Sequence, residues 1–339
     1  MRCLARFDLV ASAAASYAND VTPLEDFLSN RDSRDTTALV EWLYRHLPAS
    51  LARLAERGLL RRHMRSIVPR VSFRRNDDGG WTVRHRAEII ARSRPLDQLV
   101  GMIDKPVTIV ATGPSAKDHD WETLRDGARF VIAVSGAPTL LRSVNIRPDL
   151  FVVSDSRFAR RGAAHFGNAA GIPLVTVLRA ASIHATESIN ELLSRPFALI
   201  EQINSWYGLP RLTSEALMAL NLSSGSPFCF PQRPNFPYRC GWSAMPEYGY
   251  FSATTVTFVA LQIAVRLGAR DIEIVGMDLS SAPRAYDEGG QPLPNSLEAH
   301  FKSVILPSFE LMHESLKGTG VSIRNLSPVC PLPRGLFAS

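Results

Sequence analysis

Residues suited to bind a phosphate and a sugar occur in four short polar segments, each placed directly after a run of apolar residues. A glycine lets a backbone approach a phosphate or ribose, and a helix beginning there offers free N–H groups. A carboxylate accepts hydrogen bonds from a ribose or a base amine, while arginine and tyrosine stabilise a departing phosphate without a metal. The candidates are Gly113, Pro114 and Ser115; Ser135 and Gly136; Asp155; and Asp278 with Arg284 and Tyr286.

Three of these residues also have an ordinary structural interpretation. Ser115 and Asp155 are suited to cap the helices that follow them, and Asp278 is suited to cap a turn. The segment at Gly113 is neither Gly-x-Gly-x-x-Gly nor a P-loop, so neither dinucleotide binding nor ATP binding of those kinds is indicated.

His300 is the candidate general base, because it falls in a loop or first helical turn near the carboxyl ends of the predicted strands. His313 lies within an apolar helix and suits a structural role. Asp118 and Asp120 form an Asp-x-Asp pair of the kind found in metal–nucleotide sites, but their place in an early helix favours capping. No histidine and carboxylate set has metal-ligand spacing, so we expect neither a metal nor a cofactor.

The elements that must position these residues alternate between strands and helices. Short apolar runs predict strands at 107–111, 130–134, 150–153, 174–177, 271–276 and 322–326, and a long helix is predicted from Phe251 to Gly268. This alternation predicts an α/β fold with a Rossmann-like, doubly wound, mainly parallel sheet and helices on both faces. Ligands of such a sheet bind outside the carboxyl ends of its strands.

Two parts of the chain depart from that pattern. Residues 1–105 predict a basic N-terminal extension, with helices at 38–44 and 51–55, a small hairpin at 71–83 and a short helix over 87–100. Residues 106–339 then form the ligand-binding domain. Within it, the proline-rich and aromatic region at about 180–250 predicts either a packed lid or a surface for a second substrate.

The net charge of +6 is unevenly distributed. Twelve arginines and only four acidic residues lie between Arg53 and Arg94. This concentration of positive charge indicates either an anionic membrane surface as partner or a solvated arginine-rich face. Sparse aromatic residues and the lack of a nucleic-acid motif argue against nucleic acid. Weak signal-peptide features, no long apolar helix and four scattered cysteines favour a cytoplasmic setting.

Taken together, these residues resemble the WaaZ/RfaZ family of lipopolysaccharide core transferases, which add a side-branch Kdo (3-deoxy-manno-octulosonate) to the inner core. The similarity covers roughly residues 106–333 and is clearest from Ser252 to Pro328. It rests on residues 113–114, 132–136, 252–255, 258–264, 276–279, 286–288, 305–307, 312–313 and 325–328. The resemblance implies a CMP-Kdo donor and a lipid A/inner-core acceptor at the cytoplasmic face of the inner membrane.

A wider likeness is to bacterial sialyltransferases that use CMP-sialic acid, another 2-keto sugar acid carried on CMP. It implies that Ser115, Ser135 and Asp155 contact CMP, although those enzymes have asparagines at the positions of Ser135 and Asp155. It also implies that Tyr286 stabilises the departing phosphate and that His300 is the base. The residues that would hold the donor's carboxylate are Ser252, Thr254 and Thr255.

The sequence therefore predicts a metal-independent, inverting glycosyltransferase that moves Kdo from CMP-Kdo to the lipopolysaccharide inner core. The alternatives are a sialyltransferase or other keto-sugar transferase acting on a different glycan, a non-catalytic nucleotide-binding protein, and a pterin diphosphokinase-like enzyme on the same scaffold. The donor accepted and the need for ATP and metal discriminate among them.

Overall fold

The structure is a computed structural model that describes residues 67–68, 70–207, 212, 215, 217–218, 226–232, 236–286 and 297–337. The helices predicted at 38–44 and 51–55, and the arginines before Arg70, lie outside these residues.

A seven-stranded parallel sheet forms the centre of the molecule, in the order β12-β11-β4-β5-β6-β7-β8. Five of its strands, β4 to β8, are mostly apolar runs, which suit strands buried on both faces, whereas β11 and β12 also carry charged and polar residues. The strands are β4 (Val107–Val110), β5 (Phe130–Val134), β6 (Leu150–Val153), β7 (Leu174–Val177), β8 (Phe197–Ile200), β11 (Asp271–Val275) and β12 (Ser322–Asn325).

Alternate residues of these strands enter two different cores, one on each face of the sheet. Val107 and Ile109 of β4 belong to one buried cluster, together with the long helix α7 (Val256–Arg266). Val110 belongs to the other cluster, with side chains of α2 (Ala137–Ser143) and α5 (Leu178–Glu187). Helices therefore cover both faces, and the predicted Rossmann-like fold class is confirmed.

Six further helices have described bounds, and all but the eleven-residue Leu306–Leu316 are six residues long or shorter. They are α1 (Leu96–Val100), α3 (Ser156–Arg161), α4 (Ala163–Asn168), α6 (Asn190–Leu193), α8 (Leu297–His300) and α9 (Leu306–Leu316). A π-helical turn, Phe301–Ile305, joins α8 to α9, and 3-10 turns occupy Pro114–Asp118, Trp121–Leu124 and Arg334–Leu336. Single π-turns inside helical segments are frequent at functional sites.

Before the main sheet, β1 (Val71–Arg75), β2 (Trp81–His85) and β3 (Glu88–Arg92) form a three-stranded antiparallel sheet, here called the hairpin sheet. The helix predicted over 87–100 is wrong in its first half, because Arg86 and Ala87 adopt positive φ and turn the chain back to pair as β3. Only residues 96–100 are helical. The boundary at residue 105 remains a prediction.

The proline-rich region also differs from expectation at its start. The predicted lid begins at about 180, yet α5, α6 and the edge strand β8 occupy 178–200 and belong to the main architecture. Further on, β9 (Phe228–Cys229) pairs with β10 (Trp242–Ser243). The aromatic side chains here are packed inside the protein: Phe230 stacks on Phe236 at 4.8 Å between ring centroids, and both are buried.

Gln262 of α7 joins this aromatic segment to the main domain. It is fully buried, and its Nε2 donates to the carbonyl oxygens of Phe251 at 2.7 Å and Phe258 at 3.1 Å. Its Oε1 accepts from the backbone N–H groups of Phe251 at 3.1 Å and Ser243 at 3.2 Å. Every hydrogen-bonding capacity of the amide is therefore used.

We expect Gln262→Leu to lower the free energy of unfolding by ~3 kcal/mol, because buried backbone groups lose their partners at ~1–3 kcal/mol each. The measurement is urea unfolding. Gln98→Leu, at an exposed position of α1, is the control and should change stability by less than ~0.5 kcal/mol. Equal stability of the two variants would show that Gln262 does not hold the segment in place.

Candidate functional site at the switch point of the sheet

The candidate site is a pocket at the carboxyl ends of four neighbouring strands, β11, β4, β5 and β6. From β4 the chain adds strands outward to β8, and it then returns to place β11 on the other side of β4. This reversal makes the β4/β11 boundary the topological switch point, where loops diverge and leave a crevice.

The pocket brings together nine of the thirteen residues proposed from the sequence. Gly113, Pro114, Ser135, Asp155 and Asp278 line it from the strand ends. Thr254, Thr255, Arg284 and Tyr286 line it from the start of α7 and from the loop after β11. Ser115, Gly136, Ser252 and His300 adjoin the lining residues in the chain or in space, but they do not line the pocket.

Gly113 is required by the protein's own packing. A Cβ at Gly113 would lie 2.5 Å from the carbonyl oxygen of Gly276 and 2.6 Å from the Asp278 carboxyl carbon. The predicted helix after it is a 3-10 turn that offers no free N–H at its start, because proline has none and the Ser115 N–H is bound to Asp278. The expectation of an anion-binding helix end at this turn is therefore wrong.

Asp278 is the centre of a buried hydrogen-bond cluster. It is 2% exposed, and its Oδ2 accepts from the Ser115 N–H at 2.8 Å. Its Oδ1 accepts from the hydroxyls of Ser115 and Ser327, the latter at 2.5 Å. The carboxylate thus ties together the chain after β4, β11 and β12. Both polar groups of Ser115 face Asp278, so Ser115 acts in this cluster.

At the end of β6, Asp155 is the N-cap of α3, and its carboxylate accepts from the Arg157 N–H at 2.8 Å. It also forms an ion pair with the Arg157 guanidinium at 2.9 Å. The hydrogen bond and charge of Asp155 raise the pKa of Arg157. The structural interpretation of Asp155 is therefore observed, and the pair places a carboxylate and a cation together at the pocket wall. Contact with CMP remains a prediction.

The start of α7 points at the pocket and has no side-chain cap. Thr255 is the N-cap residue and makes no capping hydrogen bond through its side chain. Ser252 lies just before it, where its hydroxyl accepts from the Thr254 N–H at 3.4 Å. The first N–H groups of an α-helix lack intrahelical partners, so this eleven-residue helix presents its positive end to the pocket.

The backbone around the pocket is unusually strained. Ser135, Ala253, Thr254 and Leu279 all have positive φ, at 49°, 40°, 57° and 53°. Non-glycine residues seldom adopt these angles, and a β-branched threonine does so least readily. Such conformations cost ~1–3 kcal/mol each and tend to cluster where a site demands a particular geometry.

Tyr286 reaches the pocket over Gly136. A Cβ at Gly136 would lie 2.1 Å from a carbon of the Tyr286 ring, so only glycine leaves room for the ring. The Ala285 N–H donates to the carbonyl oxygen of Thr112 at 2.9 Å and holds the chain beside the pocket. Arg284 lines the same wall, so a cation and a phenol lie together there, as an anionic leaving group requires.

His300 is the last residue of α8, whose first residue, Leu297, lines the pocket. Residues three apart on a helix share a face, so His300 lies one turn from the rim. Glu298 between them accepts from the N–H and hydroxyl of Ser281 and anchors α8 to the loop after β11. Residues 287–296, which precede α8, lie outside the described part of the chain.

Arg157 and Ser327 belong to this site but were not predicted from the sequence. A signal for Arg157 existed, since a cation two residues after a strand-end carboxylate falls in the first turn of the next helix. Asp120 caps a 3-10 turn by accepting from the Glu122 N–H at 3.1 Å, as the capping interpretation expected. Within the described residues, no three or more His, Cys, Asp or Glu side chains are grouped to hold a metal ion.

The fold and pocket define an α/β protein with its ligand crevice at the switch point of a parallel sheet. Comparison with solved structures adds little. The MAf glycosyltransferase from Magnetospirillum magneticum AMB-1 aligns with a TM-score of 0.41 and 16% identity, over 68% of this chain and 33% of that one. No family model matches the chain.

Two proteins from enteric bacteria are similar to this chain over most of their own length. A "Probable 3-deoxy-manno-octulosonic acid transferase" from Escherichia coli (strain K12) is 28% identical over 241 residues, which cover 66% of this chain and 78% of that protein. A protein of the same description from Salmonella typhimurium (strain LT2) is 29% identical over 234 residues, covering 65% and 80%. The resemblance to Kdo transferases inferred from the sequence is confirmed by these similarities.

Proposed function

We propose that this protein is a metal-independent, inverting glycosyltransferase that moves Kdo from CMP-Kdo to a Kdo or heptose of the lipopolysaccharide inner core. The observation that carries the proposal is the switch-point pocket, in which a helix N-terminus, two arginines and a tyrosine converge beside serine and threonine side chains. Similarity to proteins described as Kdo transferases supports the choice of sugar.

The proposed donor carries two negative groups, the phosphate of CMP and the carboxylate of Kdo. Tyr286 and Arg284 on one wall suit the phosphate, whose charge grows as the bond to the sugar breaks. Thr254, Thr255 and the positive end of α7 suit the carboxylate. Within the described part of the chain, the buried Thr254 hydroxyl has no hydrogen-bond partner, which indicates that a ligand supplies one.

The reaction is a single displacement at the anomeric carbon of the donor. The oxygen of an acceptor hydroxyl forms the new bond to that carbon, and the bond to the phosphate oxygen breaks, leaving its electron pair on CMP. His300 takes the proton of the acceptor hydroxyl. Because attack occurs opposite the leaving group, the anomeric configuration inverts. The pocket contributes by orienting the donor and stabilising the phosphate charge.

We expect Thr254→Val to weaken donor binding by about 10–100-fold, since a hydrogen bond to a charged group contributes ~1.5–3 kcal/mol. Without ligand, the same variant should have an equal or higher melting temperature, because a buried hydroxyl without a partner is removed. Both side chains are β-branched, so backbone strain is matched. Calorimetric titration with CMP-Kdo and thermal unfolding measure the two effects.

Thr123→Val, on an exposed 3-10 turn, is the control and should leave donor affinity unchanged. If Thr254→Val bound the donor as tightly as the wild type, the assignment of Thr254 to the carboxylate subsite would be wrong.

The experiment that tests the donor assignment is CMP release in the presence of EDTA. Purified protein is incubated separately with CMP-Kdo and CMP-sialic acid, and free CMP is quantified. The expected result is that CMP is released from CMP-Kdo but not from CMP-sialic acid. Release of CMP from CMP-sialic acid but not from CMP-Kdo would show that the donor sugar is sialic acid, with the same mechanism. Activity that EDTA removes and Mg²⁺ restores would contradict the metal-independent mechanism.

We also propose that the arginine-rich hairpin sheet holds the protein at the anionic cytoplasmic face of the inner membrane. No described helix is both long and apolar enough to span a bilayer. Arg86, Arg92 and Arg94 are exposed on or beside β3, where Ile89 is also 50% exposed. Each basic residue near an anionic surface contributes ~1 kcal/mol of attraction.

Charge reversal tests this surface. We expect Arg86→Glu with Arg92→Glu to weaken binding to vesicles containing phosphatidylglycerol by at least about tenfold in a sedimentation assay. The control reverses Arg270 and Lys317, two exposed cations near β12, and should retain most of the binding. Equal loss in both variants would show a general charge effect with no contribution from the position of the hairpin sheet.

A further inference from the structure

The Tyr286 ring is held in a slot that extends behind the pocket wall. On one side is the bare backbone of Gly136, where a Cβ would approach the ring to 2.1 Å. On the other side is the imidazole of His165, with 4.6 Å between the two ring centroids and an interplanar angle of 70°. His165 belongs to α4, and it does not line the pocket itself.

His165 is fixed on its remaining sides. Phe158, which lines the pocket, stacks on its face at 5.1 Å with an interplanar angle of 20°. The Thr139 hydroxyl lies 2.6 Å from its Nδ1. An imidazole with an aromatic ring on one face, a hydrogen bond at one nitrogen and a tyrosine against it has little freedom to rotate.

A chain of hydrogen bonds holds Thr139 beside this imidazole. The Arg142 guanidinium has only donors and bonds the Asn168 Oδ1 at 2.6 Å, so the Asn168 Nδ2 faces Thr139 and donates to its Oγ1 at 2.7 Å. That oxygen keeps a second lone pair and its own proton, so the hydroxyl can pair with the His165 Nδ1 in either tautomer of the ring.

We propose that His165 is a positioning residue that acts through Tyr286, with Thr139 and Asn168 holding the imidazole that in turn holds the tyrosine. Gly136 and His165 form the two walls of the slot, and the Tyr286 hydroxyl is thereby presented to the leaving phosphate. This inference rests on the proposed function for its catalytic consequence. The slot itself is defined by the contacts of Gly136 and His165 with Tyr286 and does not depend on that function.

The consequence of opening the slot follows from how steeply catalysis depends on position. A displacement of about 1 Å in a group that stabilises the transition state can cost ~10²-fold in rate. His165→Ala removes one wall, and Thr139→Val removes only the hydrogen bond while preserving shape. We expect kcat for CMP release to fall about 10–100-fold in the first variant and less in the second, with little change in KM. His165→Phe restores a ring and should recover part of the rate.

The test is a double-mutant cycle combined with a spectroscopic probe of Tyr286. In a Tyr286→Phe background, His165→Ala should reduce kcat by less than twofold further, because the group through which it acts has already been altered. If the two substitutions lowered kcat by independent factors that multiply in the double variant, the proposal would be overturned. His313→Ala, in α9, is the control and should leave kcat unchanged.

The probe is 3-fluorotyrosine, observed by fluorine NMR in the full-length protein. The chain has seven tyrosines, and the signal absent from Tyr286→Phe identifies Tyr286. His165→Ala should shift or broaden that signal. An unchanged signal would show that His165 does not hold the Tyr286 ring. If the signal moves but the wild type releases no CMP from either donor, the slot stands and the proposed function fails.

Discussion

Replacing Asp278 by asparagine is expected to lower CMP release at least about 100-fold and to destabilise the protein by roughly 3 kcal/mol. The two carboxylate oxygens accept three hydrogen bonds, two from Ser115 and one from Ser327. An amide has one accepting oxygen. In one orientation its NH₂ opposes the Ser115 N–H, and in the other it replaces the oxygen that accepts from both hydroxyls, which must then rotate and accept instead.

The loss of activity and the loss of stability have the same origin. Asp278 fixes the spacing between the turn after β4 and the loop after β11, which are the two sides of the switch-point crevice. The measurements are kcat and KM for CMP release and urea unfolding. Asp271→Asn is the control, because Asp271 lies at the start of β11 with its side chain 40% exposed, and the substitution should change stability by less than about 1 kcal/mol. A stable, fully active Asp278→Asn would contradict this account of the cluster.

Replacing His300 by alanine is expected to lower kcat for transfer by about 10²–10⁴-fold, the usual contribution of general-base catalysis. The fold should be retained, because His300 is only partly buried at the end of the four-residue helix α8.

Adding imidazole to the assay distinguishes the loss of a general base from the loss of a structural contact. We expect it to restore part of the activity of His300→Ala, and we expect His313→Ala to retain the wild-type rate. A His300→Ala variant with normal kcat would exclude His300 as the base. The proton would then pass to another group of the pocket or to water.

The architecture of the site was predictable because it depends on local patterns. Buried parallel strands are continuous apolar runs, and the polar residues after Val110, Val134 and Val153 therefore mark one edge of the sheet. Strand β8 was missed because Phe197–Ile200 lies within the region that its prolines and aromatic residues marked as irregular. Likewise, the turn at Arg86 and Ala87 relies on positive φ in residues that give no sequence signal for it.

The roles within the site were less predictable because they depend on distant contacts. Ser115 and Asp278 are 163 residues apart, and only the fold shows that they bind each other. Gly113 has the position expected of a phosphate-binding glycine, yet the space a side chain would fill is occupied by Gly276 and Asp278. The free helix end lies at α7, whose apolar sequence shows the helix but not the direction in which it points.

Transfer of the sugar to a lipid acceptor tests the central claim most directly. The protein is incubated with CMP-Kdo, generated in situ, and a Kdo-bearing lipid A in the presence of EDTA, and the lipid is analysed by mass spectrometry. The account predicts that the lipid mass increases by one Kdo residue in step with CMP release, and that Asp278→Asn and His300→Ala prevent the increase. A lipid of unchanged mass, in a preparation that binds CMP-Kdo at the switch-point pocket, would contradict it.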